Sequence, residues 1–120
     1  MNIGTVGKSG EDRTASFLRK RGYAIIKRNY QCRFGEIDII AERKEYIIFV
    51  EVKTRKKDSL SLPAEAVDSA KQRKIMLTAN DFLAKFQTPL QPRFDIAEVI
   101  TEVKADGSIS YSLNYIENAF

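Results

Sequence analysis

The chain contains no histidine. That excludes imidazole zinc sites, Ser–His–Asp triads and histidine general bases together. Any catalysis must rest on carboxylates, Lys, Arg, Tyr or a metal held by oxygen. There is one cysteine, Cys32, so no internal disulfide can form. A lone thiol fits a reducing compartment. Long apolar runs are missing too. The densest, Tyr46 to Val50, is far too short to cross a bilayer. The opening MNIGTVGKSGEDRTAS has no continuous apolar stretch of the signal-peptide kind. A cytoplasmic protein that does not engage membranes is therefore expected. Repeats, low-complexity tracts and linkers are absent, and 120 residues suit one domain over 1–120. The first ten residues, polar and glycine-rich, read as a flexible arm.

What is present is an ordinary globular composition, 43% hydrophobic and 30% charged. Twenty basic residues against sixteen acidic give a net charge of +4 and a pI near 9.2. That excess permits a polyanionic partner without requiring one.

Helical spacing runs from Glu11 to Arg21, and Gly22 stops it. Two segments rich in β-branched and aromatic residues follow, Tyr23–Tyr30 and Glu36–Glu42, separated by a turn at Gln31–Gly35. A third, Tyr46–Thr54, comes after the charged tip Arg43–Glu45. Short polar connections suggest an antiparallel meander. Arg55–Ser61 reads as a basic loop. Pro63 leads to a long helix, capped by Asp68 and running to about Phe86. Pro89–Pro92 breaks it, and Phe94–Val103 with Ile109–Ile116 form a closing hairpin turned at Ala105–Ser108. The expected order is αβββαββ, an α/β fold.

The stretch GEIDIIAERKEYIIFVEVKTR, Gly35 to Arg55, carries the chemistry. In the third strand Ile47, Phe49, Glu51 and Lys53 alternate onto one face, with Ile48, Val50 and Val52 on the other. Both faces begin apolar, which marks a central strand. Glu51 and Lys53 then appear at its end, where a buried charge needs a partner or a ligand. In the preceding strand Glu36, Asp38 and Ile40 share one face, and Ile37, Ile39 and Ala41 the other. If the two strands pair, Asp38 and Glu51 come near one another. Two carboxylates in a dry pocket repel, and a divalent cation resolves the repulsion. With oxygen ligands only, Mg²⁺ or Mn²⁺ is the natural choice. Lys53 beside it would offset phosphoryl charge or position a water.

Glu11, Ala15 and Leu18 fall on the inward stripe of the first helix. In the second, Ile75, Met76, Ala79, Phe82, Leu83 and Phe86 form the apolar stripe. Gln72 projects into the same arc, while Lys71, Arg73 and Lys74 do not. Glu11 and Gln72 are thus inward polar residues able to reach a site on the sheet.

An acidic residue on one strand followed by Glu-x-Lys on the next resembles the PD-(D/E)XK nuclease superfamily. The fuller set of GEDRTASFL, GYAIIKRNY, GEIDII, FVEVKTR, AKQRKI, RFDIAEV and YIENAF resembles its YraN-like branch and spans nearly the whole chain. Ile37 stands where the superfamily's name has proline. The resemblance implies a restriction-endonuclease-like αβββαβ core, a mixed central sheet flanked by helices, related to restriction enzymes and archaeal Holliday-junction resolvases. It implies metal-ligand roles for Asp38 and Glu51, the catalytic lysine role for Lys53, and supporting roles for Glu11 and Gln72. A Mg²⁺-dependent nuclease acting on DNA, with RNA as the alternative, is expected; branched or junction DNA is one candidate substrate beside duplex, flapped and single-stranded DNA, and a homodimer is expected by analogy with resolvases.

Other readings compete. The strand-end charges also suit a structural ion pair, Glu11 a helix-start carboxylate, and Gln72 a backbone-bonded residue at the core edge. Lys27, Arg28, Arg33, Arg55, Lys56 and Lys57 suit a phosphate-contacting rim or simply solvated charge. Tyr30 and Phe34 suit base stacking or a core edge. Gly7-Lys8-Ser9 is no phosphate loop, because the earlier glycine falls at Asn2 and no strand precedes it. The rival functions are a non-catalytic nucleic-acid-binding module and an interaction subunit of a larger DNA-processing assembly.

Overall fold

Thr14, Ala15 and Leu18 are fully buried and anchor the first helix to the sheet. In the computed structural model, which describes residues 3–58 and 67–120 (side chains from residue 9), this helix is α1, Ile3–Lys20. It starts well before Glu11, so the glycine-rich segment expected as an arm is helical from Ile3. Its end is built by Gly22 in a left-handed conformation, φ 91°. Tyr23 N donates to Leu18 O and Gly22 N to Arg19 O, both at 3.0 Å, and Tyr23 packs with Leu18. This is the six-to-one, five-to-two capping pattern that a glycine after a helix allows.

Three strands follow: β1 (Ala24–Cys32), β2 (Gly35–Arg43) and β3 (Tyr46–Lys56). They form the expected antiparallel meander. The first turn is tighter than expected, because Gln31 and Cys32 remain in β1. Arg55 and Lys56 likewise continue β3 rather than opening a loop, since both pair with the next parallel strand. Helix α2 (Ser69–Lys85) is capped by Asp68, whose carboxylate accepts from Lys71 N at 2.9 Å. Pro63 lies outside the described residues. Strands β4 (Gln91–Val103) and β5 (Ile109–Ile116) close as a hairpin.

The sheet order is β1-β2-β3-β4-β5, with β3 and β4 parallel and all other neighbours antiparallel. The parallel step requires a crossover, and α2 supplies it. The result is a five-stranded mixed sheet flanked by two helices, compatible with an αβββαβ core.

The helices sit on opposite faces. Ala15 and Leu18 of α1 pack with Ile39, Ala41, Ile48 and Val50. Ile75, Ala79 and Phe82 of α2 pack with Ile40, Ile47, Phe49 and Ile96. Strand β3 is thus covered on both sides, as its doubly apolar pattern requires. The α2 stripe is narrower than its sequence suggests: Thr78 is buried, whereas Met76 and Phe86 are exposed. Tyr30 is a core edge, edge-on to Phe82 with its hydroxyl donating to Asp81. At the end of the chain, Phe120 stacks on Phe94. No helix among the described residues is long and apolar enough to cross a membrane.

Candidate active site

The β2–β3 ladder runs inward from Arg43↔Tyr46 and ends at Ile39↔Val50. Asp38 and Glu51, the next residues along each strand, lie beyond the end of this ladder, near enough that the Glu51 carboxylate acts on the Asp38 carboxyl. Val52 N donates to Asp38 Oδ2 at 2.8 Å, so a side chain replaces the lost backbone partner. The alternation of β2 also breaks at this point. Ile37 packs with Ile40 on the α2 side, whereas Ile39 belongs to the α1 side. The expected grouping of Ile37 with Ile39 and Ala41 on one face fails for Ile37, which packs instead with its register partner Tyr30 in the α2-side core.

Glu51 is 7% exposed, on the α2 face of β3. Two ammonium groups reach the same oxygen, Oε1: Lys53 Nζ at 3.5 Å and Lys71 Nζ at 3.0 Å. Lys71 is therefore a member of the site, although its helical position points away from the apolar arc. Its stem is long enough to reach back from the first turn of α2. Gln72 behaves differently: its Nε2 donates to Val67 O at 3.2 Å, a bond that ties the helix start to the preceding chain.

Strand β1 completes the cluster. Asn29 sits opposite Asp38, between the pairs Arg28↔Ile39 and Tyr30↔Ile37. Its backbone is left-handed, φ 53°, a conformation Asn tolerates better than most residues. With its amide oriented to suit its neighbours, Asn29 donates to Glu11 Oε1 at 2.9 Å and to Glu36 Oε1 at 3.0 Å. It bridges the carboxylate from α1 to one from β2. Glu11 is also 4.0 Å from Arg28. Neither Asn29 nor Lys71 is prominent in the sequence, and Glu36 is visible there only as a face-mate of Asp38.

The electrostatics follow from this crowding. Burial pushes the Asp38 carboxyl up to about 7, and the Glu51, Glu11 and Glu36 carboxylates add to the shift against the Val52 N–H. Glu11 is raised by burial, with Arg28 opposing and Glu36 adding. Lys53 is lowered, first by burial and then by the adjacent Lys71, with Glu51 opposing. In Lys71 burial acts downward, but its bonds to Lys53 and Glu51 outweigh it and the group is raised. Among the described residues no three of His, Cys, Asp and Glu converge as a ready metal cage. The carboxylate pair Asp38 and Glu51 nevertheless fits Mg²⁺ or Mn²⁺ by donor chemistry. Such ions are commonly held by one or two carboxylates, with water and substrate phosphate filling the remaining positions.

The anticipated basic rim is only partly available. Arg28 is held by Asp12 at 2.7 Å, Arg55 by the buried Glu98 at 2.6 Å, and Lys57 by Glu102 at 2.9 Å. Lys27, Lys56 and Arg33 are exposed, Arg33 lying over the Phe34 ring. Cys32 is a half-buried free thiol that accepts from Phe34 N.

Fold and site together define an α/β protein with a carboxylate–lysine cluster at the fork of two sheet strands. The chain belongs to the uncharacterised protein family UPF0102, whose model matches residues 10–99. That span holds every residue of the cluster. A UPF0102 protein of Clostridium acetobutylicum is 47% identical over 115 residues, covering 95% of this chain and 92% of the relative. One from Caldanaerobacter subterraneus subsp. tengcongensis is 45% identical over 121 residues, covering 100% and 98%. One from Caldicellulosiruptor saccharolyticus is 40% identical over 121 residues, covering both chains fully.

Proposed function

We propose that this protein is a divalent-cation-dependent nuclease of the PD-(D/E)XK type, hydrolysing phosphodiester bonds in DNA within the cytoplasm. The observation that carries the reading is the pair of carboxylates Asp38 and Glu51 where the β2–β3 ladder ends, with Lys53 Nζ 3.5 Å from Glu51 Oε1. Asp38 and Glu51 are the residues to hold Mg²⁺ or Mn²⁺. The bound ion would supply a Lewis acid for the phosphoryl oxygen and neutralise developing charge.

The chain's own groups do the rest. The Lys53 ammonium, anchored on β3, offsets charge at phosphorus and orients the attacking water. Water adds to phosphorus and gives up a proton to solvent, the bond from phosphorus to the leaving strand oxygen breaks, and that oxygen takes a proton from solvent to leave as a hydroxyl. Asn29 fixes Glu11 beside the fork, which keeps the acidic wall in place. Lys27, Arg33 and Lys56 offer phosphate contacts at the rim. With few such cations and a chain of this size, a second copy is the proposed means of gripping a duplex.

The test is a panel of labelled duplex, flapped, branched and single-stranded DNAs with Mg²⁺, with Mn²⁺ and with chelator. Wild type is expected to cut at least one substrate only with metal. Glu51→Ala and Lys53→Ala are each expected to lower the rate by on the order of a hundredfold or more. Undiminished cutting by either variant would rule the site out. Salt-sensitive binding that survives chelator and Lys53→Ala, without cutting, would favour a binding module instead.

A further inference from the structure

Lys71 reaches the site from the start of α2. It lies in the first turn, just after the N-cap Asp68, whose carboxylate accepts from Lys71 N at 2.9 Å. Its ammonium is directed at Glu51 Oε1, 3.0 Å away, closer than the 3.5 Å of Lys53. The two lysines differ in how they are held. Lys53 stands on a strand paired along its length with β4 and is 28% exposed. Lys71 extends from a helix start and is 41% exposed, so its side chain has open solvent to move into. Glu51 itself is 8% exposed in its side chain and cannot follow. A buried carboxylate requires a counter-charge, and two cations on one oxygen are more than that single charge demands.

We propose that Lys71 is the internal counter-ion of Glu51, which a divalent cation must displace in order to bind. The inference rests on the reading of Asp38 and Glu51 as cation ligands. Without metal, Lys71 neutralises Glu51 and keeps the fork from being an unpaired anionic cleft. When a cation takes Glu51, the ammonium is repelled by the ion and swings outward. Cation affinity is therefore set partly by the charge at Lys71, and the site favours a cation that arrives with an anionic ligand able to receive the released ammonium. A DNA phosphate has that chemistry.

Mn²⁺ binding to the full chain, followed by the paramagnetic resonance of the free ion, tests this. Wild type, Lys71→Gln, Lys71→Arg and Asp38→Asn are compared, with helicity checked by circular dichroism. Gln is a good helix former at a part-exposed position, so the fold is expected to hold. Lys71→Gln is expected to bind Mn²⁺ more tightly, by on the order of tenfold, because one competing positive charge is gone. Lys71→Arg is expected to restore wild-type affinity. Metal-free Lys71→Gln is expected to melt below wild type, and Mn²⁺ to raise its melting temperature by more. A merely structural lysine would move the melt without moving the affinity. Folded Lys71→Gln with unchanged or weaker Mn²⁺ binding overturns the proposal while the site reading stands. Absence of Mn²⁺ binding in wild type, or full binding by Asp38→Asn, overturns both.

Discussion

Asp38→Asn is expected to raise the melting temperature of the metal-free protein at about pH 8 while abolishing divalent-cation binding and cutting. The folded protein holds the Asp38 carboxyl at about 7, against an ordinary 3.8, because it is buried and lies near the Glu51 carboxylate. Between those values the folded chain keeps the proton and the unfolded chain has lost it. Stability therefore falls as pH rises through this window and levels off above about 7. At higher pH the wild type carries an ionised Asp38 against burial and three neighbouring carboxylates. Asn has the same shape, no charge, and an oxygen that can still accept from Val52 N. The gain is about 2–4 kcal/mol at pH 8 and vanishes near pH 4. Urea melts in chelator across that range read it directly. A variant no more stable than wild type at pH 8 would show that the carboxylate carries no such strain. The expected outcome, a more stable protein that has lost its ligand, is the signature of a residue retained for binding rather than for folding.

The element order was legible because each boundary has a local cause: Gly22 for the end of α1, Asp68 for the start of α2, period-two alternation for the meander. The start of α1 was not. Gly4, Gly7 and Gly10 argue against a helix by propensity, but Gly10 is there for packing. A Cβ on it would stand 2.6 Å from Thr54 Oγ1, so α1 approaches β3 closely beside Lys53. That approach is also what brings Glu11 to the fork.

Within the site, Asp38, Glu51 and Lys53 could be read from alternation, since strand faces are fixed by parity. Lys71 could not, because a helical wheel locates Cβ atoms and not the end of a four-carbon side chain. Asn29 escaped for another reason. Its contribution depends on a left-handed backbone inside a strand, which no pattern of residue types announces. The face break at Ile37 is equally silent in sequence, since it shows only in the packing of Ile37 with Tyr30.

Asp95→Ala is expected to cost about 3–5 kcal/mol, the largest stability loss of any single change considered. Asp95 is fully buried on β4. Its two oxygens accept from Arg93 Nε at 2.9 Å and Arg93 Nη2 at 2.8 Å, from the Tyr115 hydroxyl at 2.6 Å and from Asn118 N at 2.9 Å. Arg93 Nη2 also donates to the Tyr23 hydroxyl at 2.8 Å. One carboxylate thus joins the end of α1, the hairpin β4–β5 and the C-terminal segment. The pairing holds the Arg93 guanidinium above its ordinary value, and burial with Asp95 does the same for the Tyr115 hydroxyl. Deleting Asp95 strands a guanidinium whose side chain is 11% exposed. Against a total stability of roughly 5–15 kcal/mol for a domain, such a loss leaves little margin. If the penalty comes from the abandoned charge, removing both partners must be milder than removing one. Arg93→Met with Asp95→Leu is therefore expected to recover much of the loss in urea melts. The folded fraction of each variant is expected to keep wild-type Mn²⁺ affinity, since Asp95, level with Val50, faces the α1 side of the sheet and Glu51 the α2 side. A double variant as unstable as the sum of its singles would instead show that the two residues act independently and that no abandoned charge causes the loss.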